Sequence, residues 1–405
     1  MIYIYIMKLK FNIAIVGSGL TGNIASLALS EAGYKVALID PNKFDKFKHK
    51  TYDTRTTALS KKSKLFLEDL NLWKLIEPHT CVIKNIMVND GNTKDNIYFK
   101  NPLNASQDAL GYMVKNKALF SSLIIAIKKK QNITKYDSKV LSFSRSLENV
   151  TLELSNGVKI KSDLLIAADG KNSFIRKKAG INVYKKNYNQ KAFIFNVRHT
   201  KKHNNLATEN FLEQGPLASL PITQNKSNFY SSIVWSCNYP FYYKIIKYKK
   251  NDIEDVLNFY LSDYYGKFKI ISDIKNWNLT LIKANKFYDT RLLLLGDAAH
   301  SIHPLAGQGL NLTLKGIEIL YNLAIEKSIK KKDLGNDYTL KIFSKKQYLN
   351  SITIIFATDK LNFLFSNSNI FLKKIRKLGI YTFKKSSILK NLFKNYASAG
   401  KLSIK

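Results

Sequence analysis

The pattern of apolar and polar positions predicts that the chain begins with a βαβ unit. Residues 11–40 read FNIAIVGSGLTGNIASLALSEAGYKVALID. This run predicts a buried strand, a glycine turn, a helix that ends near Gly33 and a second strand that closes on Asp40. Apolar runs of the same kind return in DLLIAA, residues 163–168, and in RLLLLGDAAH, residues 291–300. We therefore expect one α/β domain whose segments are separated along the chain.

Other segments have the periods of helices and of antiparallel strands. Residues 62–76 (KSKLFLEDLNLWKLI) predict one helix, which Pro78 ends, and residues 117–130 predict another. Alternation in residues 82–100 predicts a hairpin. Residues 185–286 contain long alternating strands with many aromatic residues and one helical stretch. They predict a second lobe built on an antiparallel sheet.

The charge and the cysteine content of the chain limit its expected partners and its cellular compartment. The 405 residues include 65 Lys and Arg against 29 Asp and Glu, a formal net charge of +36. Binding to nucleic acid gathers basic residues on one element, whereas these lysines are spread along the whole chain, so we expect no nucleic-acid partner. Diffuse positive charge fits an anionic membrane surface better. Cys81 and Cys237 have no metal-ligand or redox spacing, which agrees with a cytoplasmic protein.

The first motif is a GxGxxG sequence formed by Gly17, Gly19 and Gly22, with Thr21 inside it. The first glycine permits the tight turn, the second lets a pyrophosphate approach the backbone, and the third permits close packing of helix on strand. Asp40 ends the next strand, where an acid accepts hydrogen bonds from ribose hydroxyls. The alternative is a glycine-rich turn in an unrelated α/β protein, and the motif alone does not separate FAD from NAD.

The second motif is DLLIAADGKNSFIR, residues 163–176, in which a strand delivers Asp169 and Gly170. A cofactor-linked turn is one interpretation. The other is a plain strand end followed by a helix cap at Asn172 or Ser173.

The third motif is RLLLLGDAAHSIHPLAGQGLN, residues 291–311. Its acid, Asp297, could accept hydrogen bonds from the ribityl or ribose hydroxyls of a flavin. The helix N-terminus that follows could stabilise negative charge on the reduced isoalloxazine ring. His300 and His303 have no third ligand near them in sequence, so we predict that they line a pocket and that no metal is bound. The cofactor residues predicted here are Gly296, Asp297, Gly307, Gly309, Leu310 and Asn311.

With these three motifs in this order, the chain resembles the p-hydroxybenzoate-hydroxylase-type FAD-dependent monooxygenases, and most closely the ubiquinone-biosynthesis (2-polyprenylphenol) hydroxylases among them. The resemblance extends to TRTTALS, LGYMVKNKAL, ENFLEQGPLASLP, HPLAGQGLN, ATDKLNFLFSN and the closing YASAG. It implies a Rossmann-like FAD-binding domain with an inserted antiparallel-sheet substrate domain and a helical C-terminal segment. The corresponding boundaries are 8–75, 105–181 and 287–342 for the FAD domain, 76–104 and 182–286 for the substrate domain, and 343–405 for the C-terminal segment.

The same resemblance implies roles for individual residues. The glycines of the first motif would hold the FAD pyrophosphate, Asp40 its ribose and Arg55 its phosphate or ribityl region. Asp169 and Gly170 would lie in a turn linked to both FAD and NAD(P)H. Asp297 would bind the ribityl chain, residues 307–311 would lie beside the isoalloxazine, and Pro304 would border its reacting face. One departure is that Lys315 and Gly316 stand where the family usually has an acid, and Glu318 is displaced from that position.

The implied reaction uses NAD(P)H and O2 to hydroxylate an aromatic ring, here that of a polyprenylated phenol. A flavin dehydrogenase or reductase of the same fold, or a non-catalytic flavoprotein subunit of a quinone-biosynthesis complex, are the alternatives. A halogenase is not expected, because Trp235 alone does not make that family's tryptophan-rich signature. The tail also predicts peripheral contact with the inner face of the membrane, because apolar residues alternate with basic ones there. The alternative is a helix that packs on the protein core and exposes its lysines to solvent. The apolar residues are Phe363, Leu364, Phe365, Ile370, Phe371, Ile375 and Leu378, and the basic ones are Lys373, Lys374, Arg376 and Lys377.

Overall fold

The computed structural model describes residues 8–44, 55–91, 96–100, 109–225 and 228–365. The strands are β1 (Lys8–Val16), β2 (Val36–Ile39), β3 (Thr56–Leu59), β4 (Thr80–Ile83), β5 (Asn85–Asp90), β6 (Asn96–Lys100), β7 (Gly111–Lys115), β8 (Ile133–Tyr136), β9 (Val140–Arg145), β10 (Val150–Leu154), β11 (Lys159–Ala167), β12 (Val183–His199), β13 (Leu206–Leu212), β14 (Gly215–Asn225), β15 (Asn228–Asn238), β16 (Phe268–Ile270), β17 (Lys275–Ala284), β18 (Tyr288–Asp289), β19 (Leu292–Leu294) and β20 (His300–Ser301). The α-helices are α1 (Leu20–Glu31), α2 (Lys61–Asp69), α3 (Trp73–Ile76), α4 (Asn116–Lys128), α5 (Phe174–Lys178), α6 (Tyr239–Ile245), α7 (Lys250–Tyr265), α8 (Gln308–Ile329) and α9 (Asp337–Phe365). Short 3-10 turns lie at Glu77–His79, Gly296–Ala298 and Leu305–Gly307.

The first sheet has the strand order β18-β19-β11-β1-β2-β8, with β10 and β9 added beside β11. Its central pairs are parallel, and the register places Ile13 opposite both Leu164 and Val36. Alternate residues of β1 enter two different cores: Ile13 and Ile15 pack with helices α1 and α8, whereas Ala14 packs with β10 on the other face. Burial on both faces explains why these strands are almost continuously apolar in sequence.

The second sheet has the order β20-β17-β12-β15-β14-β13-β5-β6, with β16 beside β12. Helices α6 and α7 cover one face of it, where Trp235, Leu257 and Tyr265 share a core. Its opposite face meets a small third sheet of order β3-β7-β4, through a cluster that contains Met113 and Ala207.

The predicted fold class is confirmed, including the βαβ unit, the antiparallel sheet and a helical C-terminal segment. The prediction of one helix over 62–76 is wrong. The segment divides into α2 and α3, because Asn71 at the turn between them has the left-handed φ of 56°. The second sheet also has one parallel pair, β13 with β5. The domain boundaries given above stay predictions, and residues 366–405 of the predicted tail lie outside the described residues.

Candidate functional site

The turn after β1 is tightly packed on one side and open at Gly19. A Cβ atom on Gly17 would overlap the carbonyl oxygen of Ala168, and a Cβ atom on Gly22 would overlap that of Gly17. Glycine is therefore required at both positions for strand, turn and helix to approach this closely. At Gly19, in contrast, no atom lies within 4 Å of an added Cβ. This open side of the turn is where the sequence predicts the pyrophosphate.

Asp40 ends β2 next to this turn. Its Oδ2 accepts a hydrogen bond from the Ser18 amide at 2.9 Å, and its Oδ1 accepts one from the Asn42 amide at 2.8 Å. The carboxylate thereby fixes the glycine turn to the end of β2. This placement agrees with an acid directed at a cofactor bound in the turn.

The third motif packs directly on the first. The amide of Leu295 donates to the carbonyl of Ala167 at 2.9 Å, which continues the pairing of β19 with β11. Gly296 follows with a φ of +58°, and a Cβ atom on it would lie 2.5 Å from Thr21 Oγ1. Glycine removes this clash and permits the left-handed conformation. The turn after β19 therefore lies against the first turn of α1.

The second motif joins the other two. The buried Arg176 donates from Nη1 to the Ala298 carbonyl at 2.8 Å and from Nη2 to the Lys171 carbonyl at 3.0 Å. Asp169 accepts the Ile175 amide on Oδ2 at 3.1 Å, while its buried Oδ1 has no hydrogen-bond partner among the described residues. Ser173 Oγ caps α5 by accepting the Arg176 amide. Ser173 therefore caps a helix, as one interpretation predicts, and Arg176 also joins this motif to the third one.

Asp297 follows Gly296 in the joined turns, and two cations influence its pKa. Its side chain is open to solvent on one side, yet protein surrounds it elsewhere, and the reduced hydration raises its pKa. Lys171 and Arg55 act against this effect and lower the pKa. Burial lowers the pKa of Lys171 in turn, and Asp297 partly offsets that shift. A carboxylate and two cations thus share one solvent-accessible recess, which suits hydroxyl and phosphate groups of a ligand. No pattern in the sequence indicated that Lys171 would influence the pKa of Asp297.

The start of α8 forms the next wall of the recess. Asn311 connects this helix to the β3–α2 turn, because its Nδ2 donates to the Ala58 carbonyl at 2.8 Å and its Oδ1 accepts the Ser60 amide at 2.9 Å. A Cβ atom on Gly307 would lie 3.1 Å from that of Ala58. Around Gly309 the space is open within 4 Å.

Of the remaining predicted residues, Leu310 and Pro304 lie at the same helix start, and Arg55 contacts the second sheet. Leu310 packs against the core of the parallel sheet. Pro304 is the N-terminal cap of the 3-10 turn that precedes α8. Arg55, on the strand side, lies over the Trp277 ring at 5.7 Å.

These features fit FAD on three counts. Gly19 and Gly307 are the N-terminal cap residues of α1 and α8, neither helix has a side-chain cap, and neither has an acidic residue in its first turn. Uncapped helix starts leave N–H groups and a positive dipole end for an anion. The open space at Gly19 and the unpartnered Asp169 Oδ1 supply the other two counts. The contacts of individual residues with FAD stay predictions.

His300 and His303 are both buried, and each meets a glutamine from a distant element. His303 Nε2 lies 3.0 Å from Gln190 Oε1, and His300 Nε2 lies 3.1 Å from Gln347 Nε2. Burial lowers the pKa of each histidine to about 4, so both are neutral at pH 7. Across the described part of the chain, no group of three His, Cys, Asp or Glu side chains is placed to hold a metal ion.

The departure from the family pattern after Asn311 has a structural counterpart. A Cβ atom on Gly316 would lie 2.9 Å from Gln347 Nε2. The glycine therefore leaves room for the side chain of α9 that reaches His300. Glu318, the nearby acid, forms an ion pair with Lys62 at 3.3 Å.

Comparison with known proteins agrees with this geometry. The model of the FAD binding domain family matches residues 10–327. The chain is 30% identical to ubiquinone hydroxylase UbiL of Rhodospirillum rubrum, over 95% of this chain and 89% of that protein. It is 26% identical to the 3-demethoxyubiquinol 3-hydroxylase of Escherichia coli, over 95% of this chain and 97% of that protein.

Solved structures show the same fold. The p-nitrophenol 4-monooxygenase PnpA of Pseudomonas putida superposes with a TM-score of 0.75 at 15% identity, over 96% of this chain and 97% of that chain. The flavin-dependent halogenase CmlS has a TM-score of 0.72 at 16% identity, over 96% and 72% of the two chains.

The family match covers most of the chain and includes all three motifs, and the residues of the recess suit FAD. The chain therefore belongs to the FAD-binding, p-hydroxybenzoate-hydroxylase-type family, and it is an FAD-dependent aromatic-ring monooxygenase.

Proposed function

We propose that this protein uses FAD, NAD(P)H and O2 to hydroxylate the ring of a polyprenylated phenol in ubiquinone biosynthesis. The observation that carries the proposal is the similarity to proteins named ubiquinone hydroxylase and 3-demethoxyubiquinol 3-hydroxylase, which extends over 95% of this chain in both cases. The convergence of three motifs on one recess supports the FAD part of it.

Different residues of the recess would bind different parts of FAD. The amides around Gly19 and the start of α1 would hold the pyrophosphate, and Asp40 would accept ribose hydroxyls. Asp297 would accept hydroxyls of the ribityl chain, while Lys171 and Arg55 balance its charge. When bound, FAD supplies reduction by NAD(P)H and transfer of one oxygen atom from O2 to the ring.

An apolar cluster next to the second sheet suits the prenyl chain. The buried Ile97 and Phe99 pack there with the partly buried Val88, Leu110 and Phe365. Prenyl units are purely apolar, so their transfer from water to such a surface is favourable by about 0.8 kcal/mol for each buried CH2 group. Phe365 ends α9, which places this cluster beside the C-terminal helix.

Helix α9 supports contact with a membrane surface. Its exposed positions Leu349, Ile352, Phe356 and Phe363 are apolar and follow helical spacing. Its buried positions include the polar Gln347, Ser351, Thr358 and Asn362. Apolar Leu340, Phe343 and Ile354 are buried as well, so the apolar residues at exposed positions exceed what the core requires, and such an exposed stripe suits an interface. None of the helices in the described ranges is long and apolar enough to cross a membrane.

The function is tested with the FAD-loaded protein, NADH or NADPH, O2 and polyprenylated phenols in detergent micelles. We expect a flavin absorbance spectrum, NAD(P)H oxidation that the phenol stimulates, and a product heavier by one oxygen atom. A water-soluble phenol without the prenyl chain should be turned over less well. Substrate oxidation without oxygen insertion would instead indicate a dehydrogenase, and bound flavin without stimulated oxidation would indicate a non-catalytic subunit.

Membrane contact is tested by co-sedimentation with vesicles of anionic or neutral lipids. The F356S/F363S double variant should bind anionic vesicles more weakly than the wild type. The matched control is F259S, which removes an aromatic residue that is also exposed but lies on α7. Equal binding of all three proteins would reject α9 as the contact surface.

A further inference from the structure

The carboxyl group of Glu209 lies on the face of the second sheet that is directed at the candidate flavin site. Glu209 is in the middle of β13, opposite Ala218 of β14 and Val88 of β5. Successive residues of a strand point to opposite faces, so Glu209 shares its face with Ala207 and Phe211. The adjacent Leu212 points the other way, into the core beneath α6 and α7.

The neighbours of Glu209 show what this face meets. Ala207 packs in one cluster with Met113 and with the partly buried Ala58. Ala58 in turn gives its carbonyl to Asn311 Nδ2 and lies against Gly307. The strand position two residues before Glu209 is therefore joined through Ala58 to the start of α8. On the other side, Phe211 stacks on Phe365 with ring centroids 3.8 Å apart.

The surroundings of the carboxyl group are apolar. Val88 and Ala218 lie beside it in the sheet, and the cluster that contains Phe99 and Phe365 adjoins Val88. Glu209 itself is partly accessible to solvent, and it makes no hydrogen bond or ion pair within the ranges that the structure describes. A carboxyl group in apolar surroundings without a partner is costly for folding, and structural glutamates are normally paired.

Burial alone raises the pKa of Glu209 from 4.5 to about 7. A group with a pKa near the operating pH is well suited to exchange a proton with a bound ligand. The pKa and the position of Glu209 therefore point to the same use, although they are separate observations.

We propose that Glu209 is a catalytic residue that accepts the proton of the ring hydroxyl of the substrate. This inference rests on the proposed hydroxylation of a phenol and names the base for it. The prenyl chain of the substrate would lie along the apolar cluster at Phe99 and Phe365, and the ring would lie between Glu209 and the start of α8.

The proton balance closes within one turnover. The phenol O–H bond breaks, an O–H bond forms on the Glu209 carboxylate, and the ring oxygen keeps the electron pair, which makes the ring more nucleophilic. O2 supplies the oxygen atom that enters the ring, its second oxygen atom leaves as water, and NAD(P)H supplies the two electrons, with one net proton taken from solvent. When the hydroxylated carbon loses its hydrogen as a proton, the ring oxygen regains a proton from Glu209, and the carboxylate is restored.

Titratable side chains other than Glu209 come from this face and from the elements packed on it, including Lys115 of β7 and Asp359 of α9, which pairs with Lys186. Asp90 lies on β5 opposite Phe211 and is buried. Cys81 lies in the cluster with Ala207, and burial raises the pKa of its thiol to about 11, so it stays neutral. Asp90 is the competing acid, and the test has to separate it from Glu209.

The test measures kcat against pH for the FAD-loaded wild type, E209Q, E209D, D90N and E213Q, with a polyprenylated phenol. The wild type must first form hydroxylated product, since its inactivity would reject the proposed function and not the role of Glu209. For an active wild type, kcat should rise through pH 7. E209Q should lower kcat about 100-fold and remove this rise. E209D should stay within about 10-fold of the wild type and keep a rise at a shifted pH.

The control is E213Q, which changes the exposed glutamate of the following turn and should leave kcat and its pH profile unchanged. A bound-flavin spectrum and an unchanged Tm show that each variant is folded. The proposal is overturned if E209Q keeps at least half of the wild-type kcat, if it keeps the rise near pH 7, or if D90N alone removes that rise. Should E209Q lose its FAD, E209D decides: a shifted rise supports the proposal, and an unshifted one overturns it.

Discussion

Gly296 lies against Thr21, at a distance that leaves no room for a side chain. A Cβ atom on Gly296 would lie 2.5 Å from Thr21 Oγ1, in a residue whose φ is already +58°. This contact joins the turn after β19 to the first turn of α1, although the two are far apart in sequence. The candidate FAD site depends on it, because Asp297 follows directly.

The first prediction is that G296A weakens both folding and FAD binding. The added methyl group meets Thr21, and overpacking of this kind costs about 1–3 kcal/mol. Left-handed strain adds about 1–2 kcal/mol. The control is G180A, because Gly180 has a φ of +69° but nothing within 4 Å of an added Cβ. Thermal unfolding and FAD retention on gel filtration check the difference, and equal losses in both variants would contradict the packing argument.

The second prediction is that D297N lowers the affinity for FAD by about 10-fold to 100-fold, the loss expected for a hydrogen bond to a charged group. The substitution removes the carboxylate acceptor and its charge interaction with Lys171 and Arg55. D273N serves as the control, since Asp273 is exposed and belongs to none of the three motifs. Titration of the apoprotein with FAD, followed by flavin fluorescence, measures both affinities. An unchanged affinity in D297N would remove Asp297 from the cofactor site.

Much of this site was predictable because its residues act through local backbone geometry. Gly17, Gly22 and Gly296 are glycines where close approach forbids a Cβ atom, and such requirements leave a spacing in the sequence. The partners of the histidines left no such trace. Gln190 and Gln347 are ordinary polar residues on remote elements, and only the folded chain brings them to His303 and His300.

Two features of the fold were not predictable from the periodicity of the sequence. Residues 62–76 have helical spacing throughout, so periodicity alone could not locate the interruption at Asn71. The parallel pairing of β13 with β5 was also hidden, because a strand's own pattern does not identify its neighbour. The position of Glu209 follows from that pairing, and ENFLEQGPLASLP alone gives no indication of it.

The third prediction concerns acid stability. Burial lowers the pKa of His300 and His303 from 6.5 to about 4, so the unfolded chain gains protons there before the folded protein does. Their stabilising contribution is complete above pH 6.5 and is lost as the pH falls from there toward 4, by on the order of 2–3 kcal/mol for each histidine. The H300Q/H303Q variant should show a shallower loss of unfolding free energy over this range, and H79Q, at an exposed histidine, should not. Parallel curves for all three proteins would refute the assignment.

The fourth prediction concerns the stability cost of Glu209. Its folded pKa of about 7 exceeds the ordinary 4.5, so the folded state loses relative stability as the pH rises from 4.5 through 7. E209Q removes this dependence and should be more stable than the wild type at pH 8, by on the order of 2 kcal/mol after allowance for partial solvent exposure. The difference should shrink toward pH 5. Urea unfolding at both pH values measures it, and a constant difference would show that Glu209 does not titrate in this range.

The central claim is that the chain is an FAD-dependent monooxygenase that acts on a prenylated phenol, and one measurement tests it most directly. The FAD-loaded protein is incubated with NAD(P)H, a polyprenylated phenol and isotopically labelled dioxygen, and the product is analysed by mass spectrometry. We expect one labelled oxygen atom on the ring for each NAD(P)H consumed productively. A product whose new oxygen is unlabelled, or oxidation of NAD(P)H that never yields a hydroxylated ring, would contradict it.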